Sequence, residues 1–254
     1  TDTAFGPPVY TLRGVGFIES ITHATSTLCV YIEQISIAFP FMSTGAMIDV
    51  VSVEVLKGPQ GTLYGRNSTG GAINYLATRP TDELEAGILA SYGRYETASV
   101  DGYVSGPITD SVRSRLAIRS VTSGEGWQES VTRGDELGEQ DKLALRFITD
   151  FDLGDKTTAS FSYSHVTDES DSLAPQLIEL TGNYSPLLGL AGFEADSDGS
   201  VVTPDRLVPG SDSTEADWTA GRSPSLDHEN NMYTLQLEHD LTDKIVLTSL
   251  TGYS

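Results

Sequence analysis

The run Lys57-Gly-Pro-Gln-Gly-Thr-Leu-Tyr-Gly-Arg-Asn-Ser-Thr-Gly-Gly71 gathers the residues that tight turns and close backbone approaches require. A loop of this kind could cradle phosphate through its backbone N–H groups. Gly65 and Gly70 have the right separation, but Gly71-Ala72 follow where a Lys and a Ser or Thr should stand, so no side chain reaches the phosphates. Gly14-Val-Gly16 is followed by Phe17-Ile-Glu19, which also breaks the dinucleotide fingerprint. Asn67-Ser-Thr69 matches a glycosylation sequon, a pattern too short to carry weight alone. The four histidines, His23, His165, His228 and His239, lie far apart, and no Gly-x-Ser-x-Gly nucleophile motif occurs. The single cysteine, Cys29, allows neither an internal disulfide nor a cysteine-based zinc site. Glu194-Ala-Asp-Ser-Asp-Gly199 with Asp205 approximates a calcium loop, yet it starts on Glu and ends on an Asp too short for bidentate reach. It reads as an unliganded acidic loop. The residues predict no enzyme, no cofactor and no metal site.

Charge narrows the partners. The 254 residues carry 15 Lys+Arg against 36 Asp+Glu, a net −21. Phosphate binding needs clustered bases, so nucleic acid is excluded as a partner. The charge is uneven: residues 1–80 are near neutral at −1, whereas residues 169–230 alone carry −10. The simplest reading of the acidic stretch is a solvated loop. No apolar run approaches the roughly 18 residues of a spanning helix. The chain begins on Thr1 with no basic or apolar leader, which suggests a piece cut from something longer.

Two kinds of element position these residues. Residues 1–80 combine short β-branched runs at Cys29–Ile32 and Val51–Leu56 with glycine-rich turns, predicting a small mixed α/β domain. Residues 81–254 repeat a strand of about ten residues followed by a turn, with apolar and polar residues alternating. Seven such strands are predicted, for example Leu84 to Tyr92, with Ile88 opposite Leu89 in phase, and Lys142 to Asp152; the phase of Ile245 to Tyr253 is ambiguous. The connections sort by length. Gly106–Asp110, Leu153–Lys156 and Leu241–Lys244 are short, while the other side carries 123–139 and 169–228, both long, with Gly93–Glu96 its one short member. Short turns on one rim and long loops on the other are the habit of outer-membrane barrels. Arg113, Arg115 and Arg119 share one face, where lipid contact would cost about 2–4 kcal/mol each near the bilayer midplane. That face must meet water or protein.

The segment Val53-Glu-Val-Leu-Lys-Gly-Pro-Gln-Gly-Thr-Leu-Tyr-Gly-Arg-Asn-Ser-Thr-Gly-Gly-Ala-Ile-Asn74, with Ala77-Thr-Arg-Pro80, closely resembles the plug signature of TonB-dependent outer-membrane receptors. Leu12-Arg-Gly-Val-Gly16 resembles the earlier plug motif, and Val30-Tyr-Ile-Glu33 the tyrosine-containing strand. The likeness continues through Ser91-Tyr-Gly93 and Gly106-Pro107 to Gly252-Tyr253. Where the family often carries an Asp-Gly turn, this chain has Glu33-Gln34. Lys57 stands where many members carry Arg, a point charge in place of a bidentate fork.

The resemblance implies a mainly β fold: a partial plug domain at 1–80, then about seven strands of an antiparallel transmembrane barrel of roughly 22 strands at 81–254, with a long acidic extracellular loop at 169–228. A small closed barrel of about eight strands would need one more strand and leave no room for a plug. The resemblance further implies a transporter in the bacterial outer membrane, in contact with lipid, taking up a scarce nutrient such as a ferric siderophore. The TonB energy-transducing complex would engage a segment missing from this chain. The other reading is a non-transporting β-rich binding or adhesion protein whose acidic loops do the work. Lys57 and Arg66 are expected to anchor plug to barrel, and Phe39, Phe41 and Met42 to form a ligand-facing plug loop.

Overall fold

The computed structural model describes residues 8–16, 27–45, 47–65, 67–131, 133–174, 194–195, 201–202, 214–216, 218 and 225–254. At the N-terminal end, β1 (Thr11–Leu12) and β2 (Val15–Gly16) form a hairpin that turns at Arg13 and Gly14, both at positive φ. β3 (Leu28–Ile32), β4 (Ile35–Ser36), β5 (Val50–Lys57) and β6 (Gly71–Ala77) form one sheet in the order β4-β3-β6-β5. β3 and β6 are parallel; the other pairs are antiparallel. All five residues of β3 are buried, because both of its faces are covered. Val30 and Ile32 pack with Tyr75 and Met232 on one side; Cys29, Tyr31 and Ala72 cluster on the other.

The helical content expected here shrinks to a single α turn, α1 (Gly61–Tyr64), and a 3-10 turn at Pro40–Ser43. Gly58, Gly61 and Gly65 around α1 make a longer helix unfavourable, since glycine costs about 1 kcal/mol relative to alanine in a helix interior.

The rest is dominated by a wall of seven strands. β7 (Glu85–Tyr92), β8 (Ala98–Thr109) and β9 (Val112–Thr122) come first. Two short loop strands follow, β10 (Gln128–Ser130) and β11 (Glu136–Leu137), then β12 (Asp141–Asp152) and β13 (Thr157–Asp168). After the loop strands β14 (Glu194–Ala195), β15 (Val201–Val202) and β16 (Glu215–Ala216) come β17 (His228–Thr242) and β18 (Ile245–Tyr253). The wall order is β18-β17-β13-β12-β9-β8-β7, an antiparallel meander. It contains the seven strands read from the alternation, and it is open.

Pairing register sorts the side chains into two faces. Leu116, Phe147, Tyr163, Tyr233 and Tyr253 lie in one cross-strand row on the outside. The Tyr163 and Tyr233 rings stack with centroids 4.9 Å apart. The inner face carries Asp101, Arg115, Arg146, Asp150, Ser160, Ser162, Asp168 and Thr234 at paired positions. The register of β18 against β17 settles its phase: Leu247 and Tyr253 share the outer face with His239 and Tyr233. On β17 the outward apolar residues Tyr233, Leu235 and Leu237 are bracketed by Asn231, which accepts from Tyr163 Oη, and His239, whose Nδ1 meets Thr157 Oγ1. The eight steps from Asn231 to His239 at about 3.4 Å, tilted about 40°, give an apolar band of roughly 20 Å, close to the height expected of an outer-membrane barrel.

Most of the loop 169–228 lies outside the described residues, as does most of Glu194–Asp205; β14 and β15 pair with each other within it. Its described flanks are tied down rather than solvated. β10, β11 and β16 form a small sheet, and Leu137, Ala174, Ala216 and Trp218 form its apolar cluster. The buried Gln128 side chain donates to Ala174 O at 2.9 Å and accepts from Ala174 N at 2.8 Å.

Candidate functional site: a sheet seated against the wall

The four-stranded sheet meets the inner face of the wall at three levels. The central level is the loop between Ser43 and Val50. Ile48 is buried among Ala117, Ala144 and Val166, with Tyr103 beside them. Asp49, at φ 47, aims its carboxylate at β9, where Arg115 grips it from Nε at 2.6 Å and Nη2 at 2.7 Å. Arg115 and Asp49 are only 5% and 13% exposed. The guanidinium also lies 4.0 Å above the Tyr103 ring, a cation–π contact on the same inner face. One strand over, buried Arg146 donates from Nη1 to Ile48 O at 2.6 Å and from Nε to Ser164 Oγ at 3.1 Å.

This approach depends on Gly45, which has φ 77 and whose absent Cβ would sit 2.6 Å from Val166 Cγ2. No other residue type lets the loop come this close.

Toward the short-turn rim the contact is more open. Arg79 donates from Nη2 to Asp150 Oδ1 at 2.7 Å and to Ser160 Oγ at 2.5 Å, and its Nη1 lies 3.5 Å from Glu33 Oε2. Its side chain is 43% exposed. A cavity of about 190 Å³ opens beside it, lined in part by Arg113, Asp152 and Glu238. The connecting segment is pinned to β8 by Thr81, whose N–H donates to Ser105 Oγ at 2.9 Å.

Toward the long-loop rim, Asn230 Nδ2 donates to Met42 O at 3.2 Å, and the Phe41 ring meets His228 edge-on at 5.3 Å. Phe39 and Phe41 stack at 5.5 Å and both are exposed. Met42 is buried, so Phe39 and Phe41 alone supply exposed surface from that trio. Lys57 ends β5 exposed and makes no ion pair among the described residues; Arg66 lies outside them. Among the described residues, the polar contacts between sheet and wall include Asp49 with Arg115, Ile48 O with Arg146, Arg79 with Asp150 and Met42 O with Asn230. The sequence signal for them was the shared face of Arg113, Arg115 and Arg119, while Arg146 was not singled out. In the sheet itself, burial pushes the Cys29 thiol above its ordinary value, partly offset by a hydrogen bond with Tyr31.

No family profile matches the chain. The pesticin receptor of Yersinia pestis is 33% identical over 132 residues, covering 50% of this chain and 19% of that protein. The catecholate siderophore receptor Fiu of Escherichia coli strain K12 is 28% identical over 204 residues, 80% of this chain and 24% of that protein. Among solved structures, the ferric yersiniabactin uptake receptor FyuA from Yersinia pestis superposes with a TM-score of 0.68 at 20% identity. That match covers 95% of this chain and 33% of that one. The chain has the fold of plug and barrel wall in these outer-membrane receptors, to which it is similar. It spans about a fifth to a quarter of the length of these curated relatives. The relatives are outer-membrane receptors, and the row of Tyr163, Tyr233 and Tyr253 lies on the face of the wall turned away from the sheet. On the inner face Arg115 and Arg146 meet the plug sheet, whereas Arg113 pairs with Asp82 and Asp152 and Arg119 with Asp101, so that face tolerates its arginines.

Proposed function

We propose that the receptor to which this chain belongs takes up a ferric siderophore across the outer membrane, energised through TonB. The observation that carries this reading is the plug sheet seated on a polar barrel wall in a chain similar to siderophore receptors. Such an arrangement binds and moves a ligand and makes no covalent bond. Phe39 and Phe41 offer the ligand an exposed aromatic platform near the long-loop rim. TonB would be met by plug residues outside this chain.

The test is uptake of radiolabelled iron, as ferric yersiniabactin or a ferric catecholate, by cells with and without the full-length receptor. Uptake that needs the receptor and stops with a protonophore supports the reading. Uptake that is the same without the receptor, or that ignores the protonophore, overturns it.

A further inference from the structure

The turn between β3 and β4 is strained. Ile32 pairs with Ile35, leaving Glu33 and Gln34 as a two-residue hairpin loop, with φ of 51° and 65°. A hairpin of this type requires positive φ at both places and favours Asn-Gly or Asp-Gly. Long side chains there press Cβ against the backbone, and such conformations persist only when their surroundings over-determine them.

The surroundings do so here, and part of them is the barrel. Glu33 N–H donates to Tyr75 O at 2.9 Å, and Gln34 N–H to Asn74 Oδ1 at 3.2 Å. Asn74 is itself set by a bond from its Nδ2 to Glu54 Oε2. The Glu33 carboxylate accepts from Ala77 N at 2.5 Å and lies 3.5 Å from Arg79 Nη1. Arg79 is held by Asp150 and Ser160 of the wall. Beyond the turn, Ile35 packs against the cluster that includes Met232, and fills the space where a side chain at Gly252 would stand. An Asp-Gly turn would need none of these clamps.

We infer that Glu33-Gln34 is a latch whose closed form depends on the wall. While the plug is seated, Asp150 holds Arg79, Arg79 holds Glu33, and the strained turn stays shut. When Arg79 leaves the wall, the turn loses its clamp and the β3–β4 hairpin opens. Its use in transport rests on the function proposed above; the latch itself is a property of the resting protein.

Hydrogen exchange of the purified full-length receptor, without ligand or TonB, tests it. Arg79→Ala should speed exchange of the amides from Ile32 to Ile37 roughly five- to thirtyfold, the strain of one such residue expressed as an opening constant. In a background carrying Glu33→Asn and Gln34→Gly, where the turn needs no clamp, the same change should alter exchange by less than about twofold. Amides of Val53 to Leu56 serve as control and should not move. Equal acceleration in both backgrounds, no acceleration in the natural one, or acceleration of the control amides overturns the latch. Iron uptake is read separately, so a failed latch and a failed transport reading give different results.

Discussion

The buried contact between Asp49 and Arg115 makes a quantitative claim about plug seating. Two short hydrogen bonds at 2.6 and 2.7 Å join groups that are 13% and 5% exposed. Removing one partner of such a pair leaves a desolvated charge, which costs about 3–5 kcal/mol. Asp49→Asn keeps one acceptor and should fall at the low end of that range. Arg115→Met removes the charge but also the contact with Tyr103, worth about 1–2 kcal/mol in a desolvated setting. The double variant leaves no orphaned charge, so the two losses should not add. A coupling energy of about 2 kcal/mol is expected. Protease cleavage of the plug loop between Ser43 and Val50 in the full-length receptor reads this directly, because cleavage follows the population of the open form. At about 1.4 kcal/mol per factor of ten, the coupling appears as roughly a thirtyfold departure from additivity. It should barely change between low and high salt, since buried pairs are poorly screened. Additive cleavage rates, or a coupling below about 0.5 kcal/mol, would refute the view that this pair seats the plug.

Gly45→Ala should unseat the same loop by about 1–3 kcal/mol, because its Cβ meets Val166 and its φ of 77 is strained for alanine; Val166→Ala should recover the steric part. This is read as protease sensitivity of single and double variants. Ile118→Arg, on the exposed outer face beside Leu116, should cost about 2–4 kcal/mol and reduce folded receptor in the membrane. Phe39→Ala and Phe41→Ala should weaken ferric siderophore binding by more than about twofold, measured by fluorescence quenching, whereas Met42→Leu should not. With its pKa raised by burial, the Cys29 thiol adds stability that is complete below the ordinary thiol range and is lost as pH rises through the folded value. Accordingly, alkylation of the folded receptor at mildly alkaline pH should run at least about tenfold slower than that of the unfolded chain, followed by mass spectrometry.

The wall was legible because period-two alternation is a one-dimensional signal. A strand exposes its faces by parity, so Phe147 and Arg146 declare opposite sides without knowledge of their neighbours. The parity of loop lengths was equally local. β18 was not legible in this way: with Ile245, Val246 and Leu247 in succession, only pairing with β17 assigns its faces. The mixed α/β reading of residues 1–80 overcounted helix because glycine-rich turns, short helices and loops look alike until the sheet they connect is in place.

The seat of the plug was half legible, and the missing half has a physical cause. Arg115, with Arg113 and Arg119, could be placed on one face, and the cost of arginine in lipid required a protein or water partner there. Nothing local marks Asp49 as that partner. Its position depends on a loop that turns at Gly45, passes under Val166 and exposes a backbone carbonyl at Ile48 for Arg146 to take. A carbonyl has no sequence signature, and a lone aspartate in a near-neutral segment has none either. Reasoning from the scarce plug bases pointed to Lys57 and Arg66 as anchors. Lys57 makes no ion pair among the described residues and Arg66 lies outside them; at the centre, guanidiniums come from the wall and acceptors from the plug. That polarity follows from solvation. An arginine on a rigid strand loses little further freedom on pairing, and its planar fork tolerates desolvation better than an ammonium does. At the centre the wall therefore holds the costly charges in fixed places and the Ser43–Val50 loop brings short acceptors, whereas at the short-turn rim Arg79 reverses the polarity and donates to Asp150.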